Sequence, residues 1–263
     1  MQVKKRGVKK TTNSKFVQPK LSKASSDLST KKKNNDTEEQ EEVNFNQVLV
    51  SSTEHEYGTE YRIYVNSMAP CEFELLDKYY APAIETIINA TESDVIRYRI
   101  ASPGGWDETF MMFYSAMLRS DATFIADIVS TAYSAASALA LVCDDIEVHP
   151  LSKMMIHVGE SAHTGIIPRK VDFQKFELEQ EQLFFSTIYA DFLTPSEIEL
   201  ALSGKELWIG AEEILERWNK VQEKRQAEQA EAIKEAHEEQ LPQLIEIIEK
   251  QGYTVAKKKK VEK

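Results

Sequence analysis

The sequence predicts an α/β fold, because segments of strand composition alternate with helical ones from about residue 46 onward. Segments such as "EYRIYVNS" and "DVIRYRIASPGG" are rich in the β-branched and aromatic residues that favour strands. The segment "FELLDKYYAPAIETIINA" instead repeats apolar residues every three or four positions, at Leu75, Tyr79, Ile84 and Ile87–Ile88. That spacing is helical. The alternation favours strands packed beneath helices over a helical bundle or a β-sandwich.

The other elements follow in order along the chain. The segment "QVLVSS" predicts the first strand. After the Pro-Gly-Gly turn we expect a helix over "WDETFMMFYSAMLRS", a strand beginning in "ATFIADIVSTAYS" and a short helix over "AASALALVC". Two more strands are expected in "DIEVHP" and "KMMIHVG". A long polar helix is predicted over about residues 171–192, and a helix start at Thr194–Ser196. Residues 212–240 predict a charged helix. Pro242 is expected to open a separate last helix that ends near Gly252.

Composition divides the chain into three parts. Residues 1–45 are polar, with eleven Lys or Arg and one acidic residue among the first 33, and then turn acidic. Such a segment buries too little apolar surface to fold, so we predict a disordered tail, serving either as a basic arm for a nucleic acid or assembly partner or as a solubilising tail. Residues 46–220 are predicted to form the folded domain. Residues 221–263 are predicted to be a charged helical extension with a basic end.

Charge and apolar content narrow the function classes. The chain has a formal net charge of −11 and its basic residues are concentrated at the start, so the acidic body disfavours general nucleic-acid binding. No apolar run is long enough to span a bilayer, and no secretory signal is recognisable. The two cysteines, Cys71 and Cys143, are expected as small core residues in a reducing compartment. We therefore expect a cytoplasmic protein with no membrane partner, cofactor or metal.

Three features in the middle of the chain carry potential chemistry. The strand that ends in "SPGG" leaves bare backbone N–H groups at a strand end, which is how an oxyanion hole is built. The uncharged stretch "TAYSAASALALVC" contains two serines among small residues, Ser134 and Ser137. His157 ends the strand-like run "KMMIH". A hydroxyl nucleophile needs such a base, and a carboxylate to orient the base.

Four segments resemble, in order, the signature segments of the ClpP family, the proteolytic subunit of Clp proteases: "RIASPGG", "TAYSAASALA", "KMMIHVG" and "KELWIGAEE". The resemblance extends over roughly residues 46–216 and implies the ClpP/crotonase-type fold of repeated β-β-α turns. The family's serine motif matches Ala135-Ala136-Ser137, so the resemblance implies Ser137 as the nucleophile and not Ser134. It implies His157 as the base and Glu206, two residues before Trp208, as the acid.

The same resemblance implies an oxyanion hole formed by the backbone N–H groups of Gly105 and Ala138. The chain also departs from the family pattern. The acid is Glu206 where the family has Asp, Tyr133 stands where the family has glycine, and the segment between serine and histidine is shorter. The departures suggest a divergent member of viral or accessory type.

The resemblance implies a serine endopeptidase that hydrolyses peptide bonds through a Ser-His-Glu triad inside a homo-oligomeric ring, with heptameric rings expected. Because the chain has no Walker-type nucleotide loop, the ATP-driven unfoldase that serves such rings, a Clp ATPase of the AAA+ class, has to be a separate protein. Three alternatives stay open at this point. One is a phage-type head maturation protease of the same fold, the second is a non-catalytic ring subunit, and the third is a crotonase-type acyl-CoA enzyme.

Overall fold

The computed structural model describes residues 49–68, 79–159 and 167–250. Within them the strands are β1 (Leu49–His55), β2 (Gly58–Val65), β3 (Val95–Ser102), β4 (Thr123–Tyr133), β5 (Asp145–Val148), β6 (Lys153–Ile156) and β7 (Leu207–Gly210). The helices are α1 (Ala81–Asn89), α2 (Asp107–Met117), α3 (Ala135–Leu141), α4 (Ile167–Phe184), α5 (Pro195–Leu202) and α6 (Ala211–Lys250). A π-helical turn, Phe185–Tyr189, follows α4 directly. The chain is therefore an α/β protein, as predicted.

The seven strands form one mixed sheet in the order β1-β2-β3-β4-β6-β7, and β5 also pairs with β4. β2, β3, β4, β5 and β6 all run parallel to one another. At the two ends of the sheet, β1 pairs antiparallel with β2 and β7 pairs antiparallel with β6. The long strand β4 is shared, because its first half pairs with β5 and its last three residues pair with β6. The carboxyl ends of β4 and β6 therefore lie side by side. In parallel sheets, crevices at such ends are where ligands usually bind.

The two faces of the sheet differ in character, as β3 shows. Ile96, Tyr98 and Ile100 are fully buried on the face that packs against the helices. Arg97 and Arg99 alternate with them and point to the opposite face. There Arg97 Nη1 lies 2.7 Å from a Glu147 carboxylate oxygen. The second face is therefore covered by ion pairs between strands, not by apolar packing.

The junction between α5 and α6 is fixed by a charged network. Thr194 caps α5 through a capping box with Glu197, in which each side chain bonds the other residue's backbone N–H. Arg217 of α6 donates to both carboxylate oxygens of Glu197, at 2.6 and 2.9 Å. The Arg217 hydrogen bonds and the cap lower the pKa of Glu197 to about 2. The network anchors α6 to the core.

The described residues also correct three sequence-based boundaries. α6 is one continuous helix of 40 residues that includes Pro242, so the prediction of a separate helix opening at that proline is wrong. A proline costs one backbone hydrogen bond but does not prevent a long helix from continuing. α4 begins at Ile167 and gives way to the π-helical turn at Phe185, whereas the sequence predicts one helix over about residues 171–192. The segment "LWIG", which the strand prediction left out, forms β7.

Other predictions lie partly outside these ranges. The predicted tail, residues 1–45, lies outside the described residues, as do Cys71 and Gly252. The predicted core position of Cys143 is confirmed, because its side chain is buried and its Sγ donates to the carbonyl of Leu139. In the described ranges, no helix has both the length and the apolar content that crossing a membrane would require.

Candidate active site

The structure brings one serine and one histidine into hydrogen-bond contact at the carboxyl ends of β4 and β6. Ser134 follows β4 directly, His157 follows β6 directly, and the Ser134 N–H donates to the carbonyl of Met155 at 2.8 Å. The distance between Ser134 Oγ and His157 Nε2 is 2.8 Å. Both side chains are half-buried. This is the contact that a hydroxyl nucleophile needs with a base.

The backbone at Ser134 is held in an unusual conformation. Its φ of 53° and ψ of −129° make it the one non-glycine residue with positive φ in the described ranges. L-residues other than glycine rarely adopt such φ values, and strain of this kind is concentrated at functional sites. The residue forms the sharp turn from β4 into α3. A strained strand-to-helix turn with a serine at its tip is how an exposed serine nucleophile is presented in hydrolases.

The structure does not bring Ser137, the nucleophile that the resemblance implies, into hydrogen-bond contact with His157. Ser137 lies in the first turn of α3 and is fully buried. Its Oγ bonds the carbonyl of Ser134 at 2.7 Å and the hydroxyl of Tyr189 at 2.9 Å. The physical reason is that Ser134 occupies the non-helical turn at the end of β4, whereas the Ser137 hydroxyl is already bonded beneath that turn.

The same shift changes the second oxyanion-hole residue. Ala138 is fully buried, and its N–H is directed at the carbonyl of Ser134, the N-cap of α3, at 3.4 Å, so it cannot also face a substrate. The N–H that follows the candidate nucleophile belongs instead to Ala135. As the first residue of α3, Ala135 has an N–H with no acceptor inside the helix. The role proposed for Ala138 is therefore transferred to Ala135.

Gly104 and Gly105 lie where the sequence predicted a bare backbone. Met68 bridges this segment by donating to the Gly104 carbonyl and accepting from Trp106 N–H, both at 2.8 Å, which leaves the Gly105 N–H unused in the bridge. A side chain at Gly104 would lie 2.7 Å from Ser134 Cβ and 3.3 Å from Ala135 N. The glycine segment therefore packs directly against the turn that holds Ser134.

Glu206 stands opposite His157 in the sheet, but its carboxylate is engaged elsewhere. In the antiparallel pairing of β6 with β7, Ile156 faces Leu207, so the register puts Glu206 opposite His157 one position beyond the ladder. Glu206 is exposed and accepts from Trp208 Nε1 at 3.1 Å. Among residues 49–68, 79–159 and 167–250, no carboxylate bonds His157. Backbone pairing therefore agrees with the predicted partner, whereas the side-chain contact is not formed.

A second carboxylate, Asp107, lies close enough to His157 for their charges to interact. Asp107 is the first residue of α2 and is half-buried. Burial raises its pKa, and so do the negative charges of Glu108 and Glu177. A positive charge on His157 lowers the pKa of Asp107. Burial and the charge of Asp107 likewise raise the pKa of Glu181, which accepts the N–H of Gly159. Sequence reasoning missed Asp107. Its position at a helix start, two residues after "SPGG" ends, is the signal that could have indicated it.

The described residues also contain a cavity away from the Ser134–His157 contact. A cavity of about 330 Å³ lies between the ends of α2 and α3 and helix α6, and its lining includes Leu118, Leu141 and Ile188 but neither Ser134 nor His157. Within the same ranges no cluster of histidine, cysteine and acidic side chains could hold a metal ion.

Comparison of the sequence with protein-family models and with curated proteins found no match. The functional interpretation therefore depends on the four sequence segments and on the geometry around Ser134.

Proposed function

We propose that this chain is a serine peptidase of the ClpP type in which Ser134 is the nucleophile and His157 the general base. One observation carries the proposal, the 2.8 Å contact between Ser134 Oγ and His157 Nε2 at a strained turn from strand to helix. The order of the residues along the chain also supports the proposal. Ser134 and His157 follow two adjacent parallel strands, β4 and β6, and they occur in the same order as the serine and histidine segments of the resemblance. Ser134 replaces Ser137 in the assignment.

The chemistry follows the general course of serine hydrolysis. His157 Nε2 takes the proton of Ser134 Oγ as the oxygen attacks the carbonyl carbon of the peptide bond. The negative charge that develops on the carbonyl oxygen is stabilised by the N–H groups of Ala135 and Gly105. His157 then gives its proton to the leaving amine, and water hydrolyses the acyl-enzyme in a second round of the same steps.

The orienting acid is proposed to be Glu206. When Nε2 of His157 accepts the serine proton, Nδ1 carries a hydrogen and needs an acceptor. The register supports Glu206, since it stands opposite His157 on the same face of the sheet. Its carboxylate has to exchange the Trp208 Nε1 hydrogen bond, an exposed contact of 3.1 Å, for one with the imidazole. Asp107 is the competing candidate.

We also propose the assembly that the resemblance implies, a homo-oligomeric ring that encloses the active sites and receives unfolded chains from a separate AAA+ ATPase. Exposed apolar side chains on α4 support an interface between subunits, since Phe176, Leu178 and Leu183 are each more than half exposed.

One observation favours a second candidate, a non-catalytic ring subunit. Glu206 bonds Trp208, and in the part of the chain that the structure describes His157 has no carboxylate partner. A chain that only shapes a ring needs no complete triad.

Hydrolysis of short peptides separates the two candidates. Purified full-length protein is incubated with a library of fluorogenic peptides and compared with Ser134→Ala, His157→Gln and, as a matched control, His149→Gln, whose ring bonds Asp127 instead. If the protein is a peptidase, wild type hydrolyses some of these peptides. Ser134→Ala and His157→Gln should then reduce the rate by about 10³-fold or more, and His149→Gln should keep it. Absence of hydrolysis in wild type, at concentrations where it is oligomeric, contradicts the proposal and supports the non-catalytic subunit.

A further inference from the structure

A chain of buried hydrogen bonds runs from the end of α4 to the turn that holds Ser134. Tyr189, the last residue of the π-helical turn, is 2% exposed, and its hydroxyl lies 2.9 Å from Ser137 Oγ. Ser137 is fully buried, and its Oγ in turn bonds the Ser134 carbonyl oxygen at 2.7 Å. Neither hydroxyl has a role in the mechanism above, and burying two hydroxyls for packing alone is unfavourable.

The direction of each hydrogen bond in this chain is determined by its chemistry. A carbonyl oxygen only accepts, so Ser137 donates its single proton to Ser134, and Tyr189 has to donate to Ser137. Burial raises the pKa of Tyr189, which keeps that proton on the phenol. The hydrogen bonds therefore all run in one direction, from the Tyr189 hydroxyl through the Ser137 hydroxyl to the Ser134 carbonyl in the strained turn.

The Ser134 carbonyl, which ends this series of hydrogen bonds, belongs to the peptide group that also carries the Ala135 N–H. A peptide group is planar and trans, so its oxygen and its hydrogen point in opposite directions. The Ser134 oxygen is held by Ser137 Oγ at 2.7 Å, by Ser137 N–H at 2.8 Å and more weakly by Ala138 N–H at 3.4 Å. Holding the oxygen beneath the turn directs the Ala135 N–H the opposite way, away from the body of α3.

We infer that Ser137 and Tyr189 are positioning residues that aim the oxyanion-hole N–H of Ala135 through the carbonyl of Ser134. This inference rests on the proposed function, because it assigns a role to the Ala135 N–H only if Ser134 attacks a carbonyl. It also accounts for the second serine of "SAAS". Ser137 supports the reactive turn from below without reacting.

The π-helical turn is what brings Tyr189 to this position. In a π-helical turn one extra residue is accommodated, which changes the direction of the side chains that follow, and such turns are frequent at functional sites. Phe184, Phe185 and Tyr189 form a cluster of rings whose centroids are 4.9–6.5 Å apart. The tyrosine is thereby fixed against α3 on one side and at the end of α4 on the other.

The test compares Ser137→Ala and Tyr189→Phe with wild type and with Ser152→Ala. Ser152 is a matched control, because it is also a buried serine that donates to a main-chain carbonyl, that of Ile128, but has no contact with the turn. For each protein we would measure kcat and KM with a cleaved peptide, thermal unfolding, and the affinity of a peptide aldehyde beside that of the corresponding peptide alcohol. The aldehyde forms a hemiacetal with the serine and occupies the oxyanion hole, whereas the alcohol only binds.

A positioning role predicts that Ser137→Ala lowers kcat by roughly 10- to 100-fold with KM unchanged, and weakens the aldehyde but not the alcohol by a similar factor. Tyr189→Phe is expected to show the same pattern with a smaller loss. The double variant should lose little more than Ser137→Ala, because both residues act through one chain of hydrogen bonds. Ser152→Ala should keep wild-type kcat and aldehyde affinity.

The results that overturn the inference are distinct from those that overturn the proposed function. If wild type hydrolyses peptides but Ser137→Ala and Tyr189→Phe retain its kcat and its preference for the aldehyde, the positioning role is wrong and the peptidase stands. If Ser137→Ala does not fold, Tyr189→Phe decides alone, because it removes one hydroxyl and keeps the buried ring. If wild type neither hydrolyses peptides nor binds the aldehyde more tightly than the alcohol, both proposals fail together.

Discussion

At the scale of single residues, the site depends on which of two serines lies at the turn between β4 and α3. Ser134 and Ser137 are three positions apart in an alanine-rich stretch, and local composition does not distinguish them. The difference comes from the end of β4 at Tyr133, because only the first serine can occupy the turn while the second is already helical and buried. His157 could be predicted from the sequence because it ends a strand. The serine could not, since its assignment requires the boundary between strand and helix to within one residue.

The orienting acid is tested by neutral replacements of both candidates. Glu206→Gln is expected to lower kcat by orders of magnitude without loss of stability, because it removes the acceptor that holds the imidazole tautomer. Asp107→Asn is expected to retain most of the activity. Peptide hydrolysis of the two variants over a range of pH provides the measurement. A large loss in Asp107→Asn together with wild-type activity in Glu206→Gln would assign the role to Asp107 instead.

Asp107→Asn also has an expected effect on stability. Burial raises the pKa of Asp107 above its usual value of 3.8, so its contribution to folding is most favourable at low pH and is lost as the pH rises through the raised pKa. The neutral amide avoids that loss. We expect Asp107→Asn to raise the melting temperature near pH 7 and to have little effect at pH 3. An equal or lower melting temperature at pH 7 would show that the carboxylate has a stabilising partner.

At the scale of elements, the sequence predicts strands and helices better than it predicts their ends. Alternation in β3 and the apolar run in β4 indicate strands because period-two burial leaves a direct trace in composition. β7 has four residues and pairs at an end of the sheet, where too few positions repeat to give a pattern. The π-helical turn leaves no such trace, because it differs from an α-helix by a single residue.

The turn beside Ser134 requires glycine at position 104. Gly104 has φ +97°, and a Cβ there would lie 2.5 Å from the Tyr133 carbonyl oxygen and 2.7 Å from Ser134 Cβ. Gly104→Ala is therefore expected to displace the turn and to reduce peptide hydrolysis by roughly 100-fold or more. Gly204→Ala is the matched control, since Gly204 has a similar φ of +89° but nothing within 4 Å of the added Cβ. Equal activities of the two variants would show that the close contact at Gly104 is unimportant.

The network that anchors α6 makes a prediction about pH. Because the pKa of Glu197 is lowered from 4.5 to about 2, its contribution to stability is present above pH 4.5 and is lost as the pH falls toward 2. Glu197→Gln is expected to lower the free energy of unfolding by about 1–3 kcal/mol at pH 7, and the difference should shrink below pH 4.5. Urea unfolding at several pH values measures it.

Glu216→Gln is the control for this measurement. Glu216 pairs with Lys220 at 2.7 Å, but both side chains are about two-thirds exposed, so the variant is expected to unfold like wild type. A loss in Glu197→Gln that stays constant from pH 7 to pH 2 would contradict the charge network as its cause.

At the scale of the whole molecule, the α/β class was predictable and is confirmed, whereas assembly is not visible in one chain. An interface between subunits leaves only an indirect sign, apolar side chains that a single chain exposes. On α4 these are Val171, Phe176, Leu178 and Leu183. Their spacing in the sequence does not show that they are exposed, because a helix that packs into the core has similar apolar residues.

Ring assembly is tested by charge at that surface. We expect sedimentation velocity to show a species several times heavier than the 30.0 kDa chain, and Phe176→Glu combined with Leu183→Glu to shift it toward the monomer, because two charges would be buried at the interface. Ile233→Glu on α6 is the matched control, since Ile233 is also half-exposed, at 51%. A wild-type protein that sediments as a monomer at micromolar concentration would refute the ring.

The central claim, that Ser134 and not Ser137 is the nucleophile, is tested most directly by mapping a covalent adduct. Full-length protein would be treated with a fluorophosphonate probe and digested, and the modified residue would be identified by mass spectrometry, with Ser134→Ala and Ser137→Ala treated in parallel. The account predicts an adduct on Ser134, its complete loss in Ser134→Ala, and slower but detectable labelling of Ser134 in Ser137→Ala. An adduct on Ser137, or undiminished labelling of Ser134→Ala, would contradict it.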